Sequence, residues 1–202
     1  TADAVQQWNS SGKPEWHHIS VQLAEECEAK SVAAGLGYQT IADVARERIR
    51  RAGVRTIVDA GLSGGSLDVG FRALRLDSSS MNDVLLTPDE TGQAELGLLE
   101  GSVKADRTSE DLLFQVLLDW GLELSLPIEQ VEVEGQEVFN VEEGALVACF
   151  ESSVKPETIR AVAKRAPLRA VFRDSAFDSD KDRINAEQIF AEVSPDTDVK
   201  VI

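Results

Sequence analysis

The chain has 202 residues, 43% of them hydrophobic, enough for one sizeable core or two small ones. Its 36 acids against 20 bases give a net charge of −16, which argues against DNA or membrane binding over the whole surface but leaves room for a local basic patch. No apolar run approaches the roughly 18 residues of a membrane span.

The opening residues, TADAVQQWN, place Ala2, Val5 and Trp8 at helical spacing and close on Asn9 and a polar turn. A chain that starts on Thr and already reads as the middle of a helix is expected to be a fragment or a processed product. In WHHISVQLAEE, Ile19, Val21 and Leu23 alternate with polar residues, which predicts a strand ending at Glu25 and Glu26. Residues 27–38, with Gly35 and Gly37, read as a loop. TIADVARERIRRAG predicts a helix capped by Thr40 with Asp43 three residues on, apolar along Ile41, Val44, Ala45 and Ile49, and stopped at Gly53. RTIVDAG reads as a short strand or loop edge, Gly61, Gly64 and Gly65 as a loop, and residues 68–77 as a second strand.

From residue 80 to 122 the period becomes helical. Leu96, Leu99 and Val103 predict one helix, and Thr108 or Ser109 caps a second with a broad apolar face of Leu112, Leu113, Val116, Leu117 and Trp120, ended by Gly121. After Pro127 the pattern is that of a small α+β unit. A hairpin turns at Glu134-Gly135, and ALVACF is a buried strand. PETIRAVAKRA is a helix with Pro156 in its first turn. A strand, LRAVFRD, a helix, DKDRINAEQIFAEV, and a terminal strand, DVKVI, complete the chain.

Chemistry-bearing groups are sparse. Asp178, Asp180 and Asp182 alternate, but a calcium loop counted from Asp178 needs Gly and Glu where Arg183 and Ile189 stand. The acids read instead as a solvated lead into the next helix, whose N-terminal dipole favours them. His17 and His18, adjacent on a strand, point to opposite faces and do not form a metal pair. Cys27 and Cys149 match no metal spacing; free thiols of a cytoplasmic protein are the simplest reading, with a disulfide between them as the alternative. Arg46, Arg48, Arg50, Arg51 and Arg55 hold a quarter of all bases. Guanidinium forks on a helix suit phosphates, and they equally suit a solvated face paired with neighbouring acids. Glu25 and Glu26 end a predicted strand where an α/β nucleotide site would bind ribose, yet no glycine-rich turn precedes them. No nucleophile–base pair, P-loop or Cys/His cluster is present, so neither a catalytic nor a metal site is assigned.

Four segments in order carry a resemblance: TIADVARERIRRAG, GFRALRLDSSSMNDV, RTSEDLLFQVLLDWGLELSLPIE and the ending from Pro167 to Ile202. Together they resemble the C-terminal part of the Mod subunit of type III restriction–modification systems. The resemblance implies an adenine-N6 DNA methyltransferase using S-adenosylmethionine, of the permuted class, with its Asp-Pro-Pro-Tyr motif upstream. In that family the Phe-x-Gly-x-Gly cofactor loop runs into Thr-Ala-x-Ala-Val, which Thr1-Ala2-Asp3-Ala4-Val5 matches. A Val-Gln-Leu-Pro-Glu stretch of the family matches Val21-Gln22-Leu23-Ala24-Glu25, with Ala24 in place of Pro.

The resemblance thus implies that Glu25 holds the cofactor's ribose and that Thr1 borders its methionine end. Arg46, Arg48, Arg50 and Arg51 become candidate DNA contacts. The expected fold class is α/β: residues 1–85 as the C-terminal remnant of a Rossmann-like methyltransferase sheet, 86–127 as a helical segment, and 128–202 as a small α+β domain. Expected partners of the whole protein are DNA, the Res restriction subunit and a second Mod chain, with no membrane. Neither Asp-Pro-Pro-Tyr nor a target-recognition domain is in the sequence, so methylation by this chain alone is not expected. A non-catalytic acidic module docking Res or another Mod is the alternative.

Overall fold

The computed structural model describes residues 2–9, 18–61, 67–82 and 103–202. These fall into two compact units, Thr1–Leu76 and Asp77–Ile202. The charge divides with them. Residues 1–76 hold nine acids and nine bases, so the whole excess of acid lies in 77–202.

In the first unit, helix α1 (Ala2–Asn9) packs against the long helix α3 (Ile41–Ala60), with a single turn, α2 (Val32–Gly35), between them in the chain. The cap of α3 is the predicted one. Asp43 N–H donates to the Thr40 hydroxyl at 3.2 Å and the Asp43 carboxylate accepts from Thr40 N–H at 2.9 Å, which satisfies donors that every helix start leaves open. Gly53 does not stop this helix. It lies buried mid-helix, and α3 continues through RTIVDA to Gly61. A Cβ at Gly53 would lie 3.1 Å from the Val69 Cβ, so the residue serves the close approach of residues 67–71 to the helix.

Neither strand predicted in this unit pairs into a sheet. Ile19, Val21 and Leu23 are 86%, 92% and 72% exposed, Leu76 is 99% exposed, and the backbone pairing at residues 18–26 is one isolated bridge, Glu26 with Thr40. Alternation makes a strand only where a neighbouring strand supplies the hydrogen bonds. Among the described residues of this unit no strand does so. Gly64, Gly65, Leu96, Leu99 and His17 fall outside the described residues; Val103 sits in an isolated bridge with Met81.

The second unit confirms the mixed α/β class. Its five strands are β1 (Ile128–Val133), β2 (Gln136–Val141), β3 (Leu146–Cys149), β4 (Arg169–Phe172) and β5 (Asp198–Val201), in that spatial order. The first three are antiparallel neighbours; β3, β4 and β5 are parallel. Helix α4 (Ser109–Asp119) precedes the sheet, α5 (Pro156–Lys164) crosses from β3 to β4, and α6 (Asp180–Val193) from β4 to β5. Positive φ at Glu134 (52°) and Gly135 (75°) closes the two-residue turn of the predicted hairpin.

Side chains alternate strictly between two cores. Phe139, Val141, Leu146, Ala148, Phe150 and Val171 face α4, whose Leu112, Leu113, Val116 and Leu117 are buried. Val138, Val147, Cys149, Ala170 and Phe172 face α5 and α6, meeting Ile159, Val162, Ala186 and Phe190. Gln136 pins the hairpin to α5: its amide donates to Ser153 C=O at 2.5 Å, and its carbonyl accepts from Lys155 N–H at 2.9 Å and the buried Thr158 hydroxyl at 2.7 Å.

Leu117 is fully buried, whereas its neighbour Leu118 is 62% exposed. Leu117→Ala therefore removes packed volume and is expected to destabilise this unit by about 3 kcal/mol, while Leu118→Ala changes it by less than about 0.5 kcal/mol. Denaturant midpoints of the two variants against the parent chain check the contrast.

Candidate functional site

The residues singled out in the sequence converge on α3 and its approach. The chain at Glu25–Cys27 runs beside Gln39–Ile41: Ile41 N–H donates to Glu25 C=O at 2.9 Å, and Cys27 N–H to Gln39 C=O at 2.8 Å. These bonds hold Glu25 beside the start of α3 although 15 residues separate Glu25 from the cap at Thr40. Its own side chain is exposed, as are those of its neighbours from Ile19 to Glu26. Thr1 lies outside the described residues.

Along α3 the arginines divide. Arg46 pairs with Asp43, Arg50 with Glu47 at 2.6 Å, and Arg51 with the other Glu47 oxygen at 2.7 Å. Farther along, Arg55 lies 3.6 Å from Asp59. These are the i,i+3 and i,i+4 spacings at which helical side chains meet. Arg48, also exposed, forms no ion pair among the described residues. Arg46 and Arg50 also line a broad open groove of about 840 Å³ between α3 and residues 69–73, with Tyr38, Asp43, Val69 and Phe71 on its walls. The sequence offered no sign of this groove, because its two sides come together through Val69 packing on Gly53.

The electrostatics follow the pairing. Asp43 is held below the usual carboxylate range, chiefly by the Thr40 backbone and hydroxyl hydrogen bonds and then by Arg46. Glu47 is lowered by its hydrogen bonds to Arg51 and Arg50, and Arg51 is raised in return. A group of this kind anchors a helix and covers one side of a cleft. Glu25 is exposed and is not among the residues lining this groove.

Elsewhere the acidic run is structural. Asp180 and Asp182 stand in the first turn of α6, the Ser179 hydroxyl donates to Asp182 at 2.6 Å, and Asp174 meets Arg183 at 3.4 Å. Both cysteines are free thiols, and burial pushes Cys149 up. No described helix is long and apolar enough to cross a membrane.

No family model matches the chain. Over 194 aligned residues it is 29% identical to the Mod subunit of the type III restriction–modification enzyme EcoP15I of Escherichia coli. The match covers 90% of this chain and 27% of that subunit, on a C-terminal portion of it. The resemblance carried by the four segments is therefore borne out along nearly the whole chain, which spans about a quarter of the relative's length.

The lowered carboxyls set the acid behaviour of α3. Because Asp43 and Glu47 titrate lower folded than unfolded, their contribution is complete above the ordinary carboxylate range and is lost as pH falls through their depressed values. Amide protection along α3, taken as exchange relative to the intrinsic rate at each pH, is expected to stay constant down to about pH 5 and to fall below it. In Glu47→Gln the acid-induced change around Arg50 and Arg51 should shrink while that at the Thr40 cap remains; an identical pH profile in the variant would count against the assignment.

Proposed function

We propose that this chain is the C-terminal part of a Mod-type, site-specific adenine-N6 DNA methyltransferase of a type III restriction–modification system. The observation that carries the reading is the similarity to a Mod subunit along nearly its full length. Residues 1–76 would supply the last elements of the S-adenosylmethionine-dependent domain, and 77–202 a non-catalytic, acidic domain. The exposed alternation of Ile19, Val21 and Leu23 supports the first assignment, since such a pattern matches a strand whose sheet neighbours lie elsewhere in a longer protein.

In that setting Glu25 is the residue to hold the cofactor's ribose and Thr1 to border its methionine end, while upstream residues supply the catalytic motif and the pocket for the flipped adenine. The cofactor supplies the methyl group; this chain's part is to position it. Among the α3 arginines, Arg48 is the foremost candidate phosphate contact, because no carboxylate neutralises it. The complete protein would be cytoplasmic, act on DNA and assemble with Res and a second Mod chain.

A second reading, an acidic module that docks Res or another Mod, is favoured by the confinement of the acid excess to residues 77–202. The role of Glu25 separates the two. The isolated chain is expected to transfer no methyl group from labelled S-adenosylmethionine to duplex DNA on either reading, and calorimetry to show only very weak cofactor binding, whereas on the first reading a Mod polypeptide containing this segment should lose about tenfold or more in cofactor affinity on Glu25→Ala. Activity of the isolated chain, or an unchanged affinity in Glu25→Ala, would refute the assignment.

A further inference from the structure

β1 forms one edge of the sheet and pairs only with β2 among the described residues. The parity of its backbone is set by the turn. With Glu134 and Gly135 as the two loop residues, Val133 and Gln136 form the hydrogen-bonded pair next to the turn, and Val131–Val138 and Glu129–Asn140 repeat it. The opposite set of β2 bears this out. Glu137 N–H points toward β3 and donates to the Glu151 carboxylate at 3.2 Å, and Glu142 N–H donates to Pro127 C=O at 3.0 Å. The N–H and C=O groups of Ile128, Gln130 and Glu132 therefore point away from the sheet along a six-residue strand.

Sheet edges are ordinarily blunted by lysine, proline or a bulge. β5, the other edge, is four residues long and carries Lys200. β1 has no lysine, proline or bulge in its six residues, and its charged side chains, Glu129 and Glu132, are both acidic. Its side chains instead concentrate negative charge: Glu132 stands directly opposite Glu137 in a non-hydrogen-bonded pair, the closest cross-strand spacing, where like charges repel. Gln130 donates to Glu137, and no lysine or arginine pairs with Glu132 or Glu137 among the described residues. A strand added here would satisfy the outward backbone groups, and cationic side chains on it would relieve that repulsion.

We propose that the free edge of β1 is a docking site for an extended segment of a partner protein, bound by strand addition and presenting lysine or arginine beside Glu132 and Glu137. Main-chain hydrogen bonds to Ile128, Gln130 and Glu132 give the affinity, and the acidic pair selects a basic strand. A second copy of this chain fits poorly, because it would set one acidic edge against another within units that hold all of the net −16.

The experiment follows amide exchange in the full chain while a short acetylated peptide alternating valine and lysine is added, with a valine–glutamate peptide as control. Exchange of Ile128, Gln130 and Glu132 is expected to slow by about tenfold with the lysine peptide only. Gln130→Pro removes an outward N–H without touching the β1–β2 ladder and should abolish the effect. Glu132→Lys should weaken it several-fold and decides the matter should the proline variant fail to fold. Equal slowing by both peptides, slowing that survives both substitutions, or no change at the three amides would overturn the proposal. So would protection of these amides in the free chain, whether independent of concentration, from a segment of the same chain, or rising with it, from a second copy.

Discussion

The second unit is organised by two strands that cannot face water on either side. Leu146 through Phe150 are all buried, as are Ala170 to Phe172 on the adjacent parallel strand. Parallel strands of this kind need a cover on both faces. The crossovers β3–α5–β4 and β4–α6–β5 advance in the same direction across the sheet, so the usual handedness places both helices on one face, where they pack on each other. Nothing in those crossovers can cover the other face. That work falls to α4, which arrives before the sheet in the chain and buries four large side chains worth about 2 kcal/mol apiece. Its end is closed by Trp120, with the Arg169 guanidinium 5.0 Å and the Lys200 ammonium 5.5 Å from the ring centroid, so the last turn of α4 touches both β4 and β5.

This dependence explains why the second unit was legible in the sequence and the first was less so. Several elements of 108–202 carried two signals: a cap at Thr108 or Ser109 with the broad apolar stripe, Glu134-Gly135 at a hairpin turn, and Pro156 in the first turn of a helix. The local signals agree with the tertiary demand. In residues 1–76 the signals are local only. Ile19, Val21 and Leu23 have strand periodicity, but a strand also needs a neighbour that periodicity cannot supply. Gly53 looked like a stop because glycine usually follows a helix end; its cause is Val69, sixteen residues away, and no window of sequence contains both causes.

The candidate site shows the same division. The Thr40–Asp43 box was readable because its partners are three residues apart, and the pairing of Arg46, Arg50 and Arg51 with Asp43 and Glu47 lies within the same helical spacing. The sequence left those arginines balanced between phosphate contact and a paired surface. Geometry narrows the balance: three of them already share two carboxylates, and releasing them to an anion would leave Asp43 and Glu47 uncompensated, whereas Arg48 has no such tie. The placement of Glu25 beside the helix start depends on backbone bonds from Ile41 and was not foreseeable from composition.

The total charge of −16 conceals the most informative contrast. Excess acid disfavours DNA at residues 77–202, where the excess resides, and not at 1–76, which are neutral overall. The hydrophobic surface divides the other way. Among the described residues both apolar cores lie in 77–202, while Ile19, Val21, Leu23, Val32, Val58, Leu74 and Leu76 stand exposed in 1–76, and α3 buries only Gly53 and Thr56. Scattered exposed leucines need no explanation, but alternating ones on two segments that lack sheet partners do. A 76-residue unit that leaves this much apolar surface uncovered gains little from its own burial. Residues 77–202, by contrast, enclose two cores of their own. Charge and apolar burial therefore segregate together: the neutral unit carries the exposed apolar surface and the acidic unit the enclosed cores.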